Sequence, residues 1–191
     1  MFSIDKCYDS LATEPNTAYF WSGLGPNGAD IAQAIAQANG GTTLEMLMNK
    51  NHDAFITAGF DYDKDLGGFY FSPENAKDWE SISAAYAEQA TGEVHAVLGE
   101  NVRENSVWNN KELPTLVENG KVNKIVSVDP STGNDQFVLL DKSANPGPSV
   151  RGSIDSNPSG GYYNAKIEAP KQNGSRIAPS QTIDNGPKYS M

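Results

Sequence analysis

Apolar and polar positions along this chain fall into short, recognisable periods. Residues 17–21, TAYFW, form an apolar and aromatic run closed by Ser22 and Gly23, which predicts a short buried strand. Residues 29–38, ADIAQAIAQA, are alanine-rich and put Ile31 and Ile35 one turn apart, which predicts a helix. The NGG at 39–41 stops it, by the usual glycine signal. The next run, TTLEMLM at 42–48, fits a strand or a helix equally well. Residues 61–71 are rich in aspartate, glycine and aromatics and read as a loop. From Pro73 to Ala90 a second helix is expected, with Trp79, Ile82, Tyr86 and Ala90 three or four apart on one face. Gly92 follows, and residues 93–98, EVHAVL, alternate as a strand. Two more strands are expected at 124–129 and 136–141, joined by the turn PSTGN. Helices between strands give an α/β fold: a small, partly parallel sheet flanked by helices, with a helical N-terminal part.

Composition divides the chain. Gly, Pro, Ser and Asn supply 25 of the 50 residues from Lys142 to Met191, with no sustained apolar period. Residues 142–191 therefore read as an extension without a core of its own, and 1–141 as one catalytic-sized domain. Charge divides it at the same place. Residues 1–141 hold 21 acidic and 8 basic side chains, a net of −13, and residues 142–191 a net of +3. So acidic a body repels phosphate backbones and argues against a nucleic-acid partner. No stretch approaches the roughly 20 apolar residues of a membrane helix, so no membrane partner is expected. Met1 to Ser10 carries no apolar signal core. Cys7 is the single cysteine, so no disulfide is expected, which suits work in a reducing cytoplasm.

Gly23, Gly25 and Gly28 match G-x-G-x-x-G between an expected strand and an expected helix, and Glu45 follows 17 residues later. Pro26 removes an amide from that loop, and the domain has no room for the usual six strands. A turn feeding a helix is the simpler reading. His52 and His95 are the only histidines, and no spacing supports a metal site, so no metal is expected. His95, inside an expected strand, reads as a satisfied structural residue. Asp61, Asp63 and Asp65 resemble the start of a calcium loop, but the twelfth position is Ser72 rather than glutamate, which leaves a solvated acidic turn.

What remains is carboxylates and tryptophans. Trp21, Trp79 and Trp108 all lie beside polar turns or at a helix start. Side-chain chemistry is dense at Thr43-Leu44-Glu45 and at 103–113, RENSVWNNKEL, where Arg103, Ser106, Trp108 and Glu112 crowd together. Packing is the plainer role for any one tryptophan, and solvation for any one glutamate.

Taken in order, Phe20-Trp21-Ser22, Thr43-Leu44-Glu45, Trp79 with Tyr86-Ala87-Glu88 and Val94-His95, then Ser106, Trp108 and Glu112 form a pattern. The pattern resembles the ADP-ribosyl cyclase and NAD glycohydrolase family, over residues 18 to 128. The chain is most similar to the cyclase-like domains of bacterial polymorphic toxins, on FWSG, GGTTLE and SVW…ELP. It departs from the animal members in lacking disulfides and in carrying Gly23 where they have an arginine.

The resemblance implies NAD, or NADP, as a substrate rather than a bound cofactor. It implies cleavage of the nicotinamide–ribose bond, with cyclisation as a second fate of the same intermediate. Nicotinamide departs as a neutral base, so no general acid is needed, and one carboxylate steadies the oxocarbenium-like ribosyl cation. By similarity Glu112 takes that role. Glu45 binds the carboxamide and influences the fate of the cation. Trp21 and Trp79 offer flat faces, and Ser22, Ser106 and the backbone near Trp108 hold the diphosphate. Arg103, the only arginine in residues 1–141, is the nearest group to offset phosphate charge in place of the missing arginine. A toxin or effector of this kind, delivered into a target cell by a secretion system and acting in its cytoplasm, would also have a cognate immunity protein. Two alternatives stand beside it. One is a toxin ribonuclease acting on tRNA through Glu112, His95 and Arg103. The other is a binding module whose tryptophans are simply core.

Overall fold

A computed structural model describes residues 1–143. Two short 3-10 turns, Ile4–Lys6 and Tyr8–Leu11, lead into β1 (Ala18–Ser22) and α1 (Gly28–Ala38). The ambiguous TTLEMLM segment is both things expected of it in turn: β2 (Thr42–Thr43) runs directly into α2 (Leu44–Lys50). Thr43 makes the switch. It is extended, and its hydroxyl accepts the backbone N–H of Met46 at 3.4 Å as the helix cap. A third helix, α3 (His52–Thr57), was not anticipated, because six residues are too few to display a period. The expected loop at 61–71 contains a small hairpin of β3 (Tyr62–Asp63) and β4 (Gly68–Phe69). The Asp63 carboxylate closes it by accepting the N–H groups of Asp65 and Leu66, so this acidic run is a turn device.

The long helix α4 (Ala76–Gln89) precedes β5 (Gly92–Leu98). A π-helical turn (Trp108–Glu112) runs into α5 (Leu113–Glu118), and β6 (Val122–Val128) and β7 (Asp135–Asp141) finish the described chain. The main sheet has the order β2-β1-β5-β6-β7. Its first four strands are parallel and β7 is an antiparallel edge. The structure thus has the mixed α/β architecture and the disulfide-free cysteine that the sequence suggests, Cys7 being buried and free.

Strand alternation sends side chains to two unequal layers. One face carries Ala18, Phe20, Val94, Ala96, Val122 and Ile125 against α4, α5 and the N-terminal turns. The other carries Tyr19, Val97 and Val128 against Ala32 and Ala36 of α1. Tyr86, fully enclosed in α4, fastens the larger layer to the sheet. Its hydroxyl donates to the Thr42 carbonyl at 2.8 Å and stands 3.3 Å from the Tyr19 N–H, bridging the β1–β2 joint. A main-chain carbonyl left unmet at such depth would cost about 1–3 kcal/mol. Lys142, where the composition changes, caps the end of α5 through the carbonyls of Leu116 and Asn119. The rest of the expected extension lies outside the described residues. Among the described residues no helix is long and apolar enough to cross a membrane.

Candidate functional site

Parallel strands point their C-terminal ends the same way: Trp21 and Ser22 end β1, Glu45 follows β2, and Arg103, Ser106, Trp108 and Glu112 follow β5, while Trp79 lies on α4. Trp21 and Ser22 are the last two residues of β1 and both are half-buried. Gly23 turns the chain with φ of +74°, a conformation that favours glycine, and a Cβ there would meet the backbone of Val102. Gly28 has a different task. The six-membered ring of Trp21 lies on it so closely that no Cβ would fit. The glycine loop is therefore shaped around an indole.

Glu45 stands in the first turn of α2, where the unpaired N–H groups favour negative charge. Its Oε1 accepts the Trp21 indole N–H at 2.9 Å, while Oε2 is buried without a partner. Glu112 is buried, and the two carboxylates interact electrostatically. Burial is the main cause, and the Glu45 charge the second, that pushes the Glu112 carboxyl up from the ordinary 4.5 to about 8. The Ser83 hydroxyl donates to Glu112 and opposes that shift. No cation pairs with Glu112 among the described residues.

The backbone under Glu112 is unusual for a local reason. Pro114 has no N–H with which to continue an α-helical ladder, and the Leu113 N–H reaches five residues back to the Trp108 carbonyl. Ser106 begins this segment: its hydroxyl accepts the Asn109 N–H at 3.2 Å and its carbonyl accepts the Asn110 N–H at 3.0 Å. Arg103 is exposed, forms no ion pair among the described residues, and contributes its carbonyl to Asn109 and Ser106.

The three tryptophans part company here. Trp21 is half-buried. Trp79 is 8% exposed, donates its indole N–H to the Tyr70 carbonyl at 2.7 Å, and meets the edge of Phe60 at 5.3 Å. Trp108 is 1% exposed, and its ring lies 6.0 Å from that of Phe20. Both belong to the larger core. Sequence reasoning passed over Ser83. Its signal was a serine on the buried stripe of α4, one turn from Trp79, at a position where an apolar residue is the norm.

His95 differs from the satisfied residue expected of it. Its ring stacks on Tyr19 at 4.6 Å and 10°, and its buried Nδ1 has no partner. Nε2 faces Glu93 and Asp135 at 3.3 and 3.8 Å.

No protein-family model matches the chain, and no curated sequence matches it. Solved structures do resemble it in chain path. The Aplysia cyclase complexed with substrate NGD and product cGDPR is 24% identical at a TM-score of 0.41, over 61% of this chain and 49% of that one. A glutamate-to-alanine mutant of ADP-ribosyl cyclase is 21% identical at 0.44, over 66% and 55%. Porcine CD38 in its apo form is 17% identical at 0.38, over 62% and 53%. This chain spans about half the length of each of those proteins.

Proposed function

We propose that this chain cleaves the nicotinamide–ribose bond of NAD or NADP, releasing nicotinamide and ADP-ribose, with cyclisation as a second outcome. The observation that supports it most is Glu112: a buried carboxyl with no cation beside it among the described residues and a second carboxylate, Glu45, in its field. A site so built has much to gain from an entering positive charge. The pyridinium of NAD supplies that charge in the ground state, and the ribosyl cation supplies it at the transition state, when nicotinamide has become neutral. Glu112, ionised as the cation approaches, steadies the oxocarbenium-like centre.

Glu45 directs the carboxamide of the nicotinamide through its buried Oε2, being already fixed by Trp21 through Oε1. The half-buried Trp21 offers the flat face for the nicotinamide, and the enclosed Trp79 and Trp108 act as the walls behind the site rather than as stacking faces. Ser22 and Arg103 stand on the exposed side for the diphosphate, and Ser106 steadies the turn that carries Glu112. In this reading the chain is an NAD-depleting bacterial toxin or effector, delivered by a secretion system into another cell's cytoplasm and restrained at its source by an immunity protein. The sequence blocks quoted above support that part.

The test is direct. The full chain is incubated with NAD and, separately, with NADP, and nicotinamide, ADP-ribose and cyclic ADP-ribose are measured. Nicotinamide release is expected, and Glu112→Gln should reduce it on the order of 10²- to 10³-fold or more. Untouched NAD beside cleaved tRNA would overturn the reading, and so would a fully active Glu112→Gln.

A further inference from the structure

We propose that Glu93, His95 and Asp135 form a binding site for one divalent transition-metal ion, with zinc the best match. The site lies on the opposite face of the sheet from Glu112. It is separate from the NAD chemistry and does not depend on it.

The three residues come from two strands. Glu93 and His95 are two apart on β5 and so share a face, the one on which His95 stacks against Tyr19. Asp135 opens β7 and reaches across β6 from the sheet edge. Positions 93, 95 and 135 carry no spacing signature, because the third ligand arrives through sheet order rather than through sequence.

Geometry favours an ion at their centre. Ligand atoms around a tetrahedral zinc with bonds near 2.1 Å stand about 3.4 Å apart. Here His95 Nε2 is 3.3 Å from Glu93 Oε1 and 3.8 Å from Asp135 Oδ1. One ligand atom from each residue lies within 4.8 Å of the others, and the exposed Asp135 side chain has room to close the last gap.

Two further features prepare the site. His95 is nine-tenths buried and its Nδ1 has no partner. Its Nε2 stands between two carboxylates, 3.3 Å from Glu93 and 3.8 Å from Asp135. With an ion bound, the imidazole would carry its proton on Nδ1 and give its Nε2 lone pair to the metal. Lys124 meanwhile takes the other oxygen of Glu93, Oε2, at 2.7 Å. That contact orients Glu93 and leaves Oε1 as a single-atom ligand. One imidazole and two carboxylates suit zinc or a neighbouring transition metal over magnesium, which prefers oxygen ligands and keeps its water. Solvent completes the coordination on the exposed side. An ion here would join the central strand β5 to the edge strand β7.

Metal-stripped full-length protein is dialysed against zinc chloride, and separately against magnesium chloride, and the bound metal is counted. One zinc per chain is expected, with no comparable magnesium. Cobalt in place of zinc should give a visible absorption band. Asp135→Asn alters an exposed side chain, and Glu93→Gln a half-exposed one, so both should fold. Each should weaken zinc binding by about tenfold or more. His52→Ala removes the other histidine and should change nothing. The proposal is overturned if no zinc is retained, if Asp135→Asn and Glu93→Gln bind as the parent does, or if His52→Ala abolishes binding. Because the readout is metal rather than turnover, it is decided apart from NAD cleavage.

Discussion

Glu112 and Glu93 are both glutamates of the same sheet framework, yet they are held in opposite ways. Glu93 lies partly in solvent, with Lys124 on one oxygen and His95 near the other. Glu112 is buried beside α4, with the Ser83 hydroxyl and the Glu45 carboxylate acting on it. A protein that only needed to fold would pair or remove the second. An unpaired buried carboxyl weakens the native state once it ionises, and on the proposed function it is kept because a cationic ligand would favour its ionised form. The contrast also explains why acidic residues alone say little: 21 of them precede Lys142, and burial without a counter-ion sets one apart.

The largest effect should follow from removing that charge. Glu112→Gln should reduce NAD cleavage on the order of 10²- to 10³-fold or more and at the same time raise the melting temperature. The sign follows from linkage. The native carboxyl titrates near 8 and the unfolded one near 4.5, so between those values the native state binds more protons and stability falls as pH rises. Below about pH 4.5 the two proteins should melt alike. The advantage of the Gln variant should grow from there to pH 8 and then level off, on the order of several kcal/mol at most. Calorimetry from pH 4 to 9 checks it; a flat difference would mean that Glu112 is not desolvated. Activity should move the other way. The ionised form is required, so kcat/KM should rise with pH through about 8, while kcat, measured with the cation bound, should rise at lower pH.

A smaller effect is expected one step out. Trp21→Phe deletes the N–H that Glu45 accepts together with part of the fused ring that lies on Gly28. Glu45 would then have neither oxygen engaged. Loss of the hydrogen bond and of part of a half-buried ring should lower stability by about 1–3 kcal/mol, seen as a shifted denaturant midpoint at constant slope. The chemical readout is more telling. The ratio of ADP-ribose to cyclic product should change, since Glu45 loses its fixed direction. An unchanged ratio would separate Glu45 from the choice between water and adenine.

How much of this was legible follows the same division. Periodicity was enough for α1, α4 and the strands β1, β5, β6 and β7, but it left β2 open and missed the β3–β4 hairpin, whose strands are two residues each. It was not enough for α3, or for the π-helical turn, whose only trace in the sequence is Pro114 two residues after Glu112. Glu45 and Glu112 stood out through ordered sequence blocks, but the burial that distinguishes them has no linear signature. The tryptophans show the limit plainly. Trp21, Trp79 and Trp108 look alike beside their polar turns, and exposure separates one from the other two. The Glu93–His95–Asp135 cluster was illegible, because an antiparallel edge strand brings in its third member.

The smallest effect belongs to the paired side of the comparison. Lys124 is held by Glu93 through a short contact, and that contact is the first cause that keeps its ammonium above its usual range. The pair nevertheless sits in solvent, where screening and side-chain entropy cancel most of the attraction. Lys124→Met should therefore leave the melting temperature almost where it was at moderate salt, and NAD cleavage unchanged. Its trace should be in the metal titration. Glu93, no longer held by one oxygen, is free to turn both toward an ion, so zinc affinity should shift while fold and turnover do not. If Lys124→Met instead lowered stability as much as Trp21→Phe, the exposed network would be a structural clasp, and the division between a costly buried charge and inexpensive exposed ones would fail.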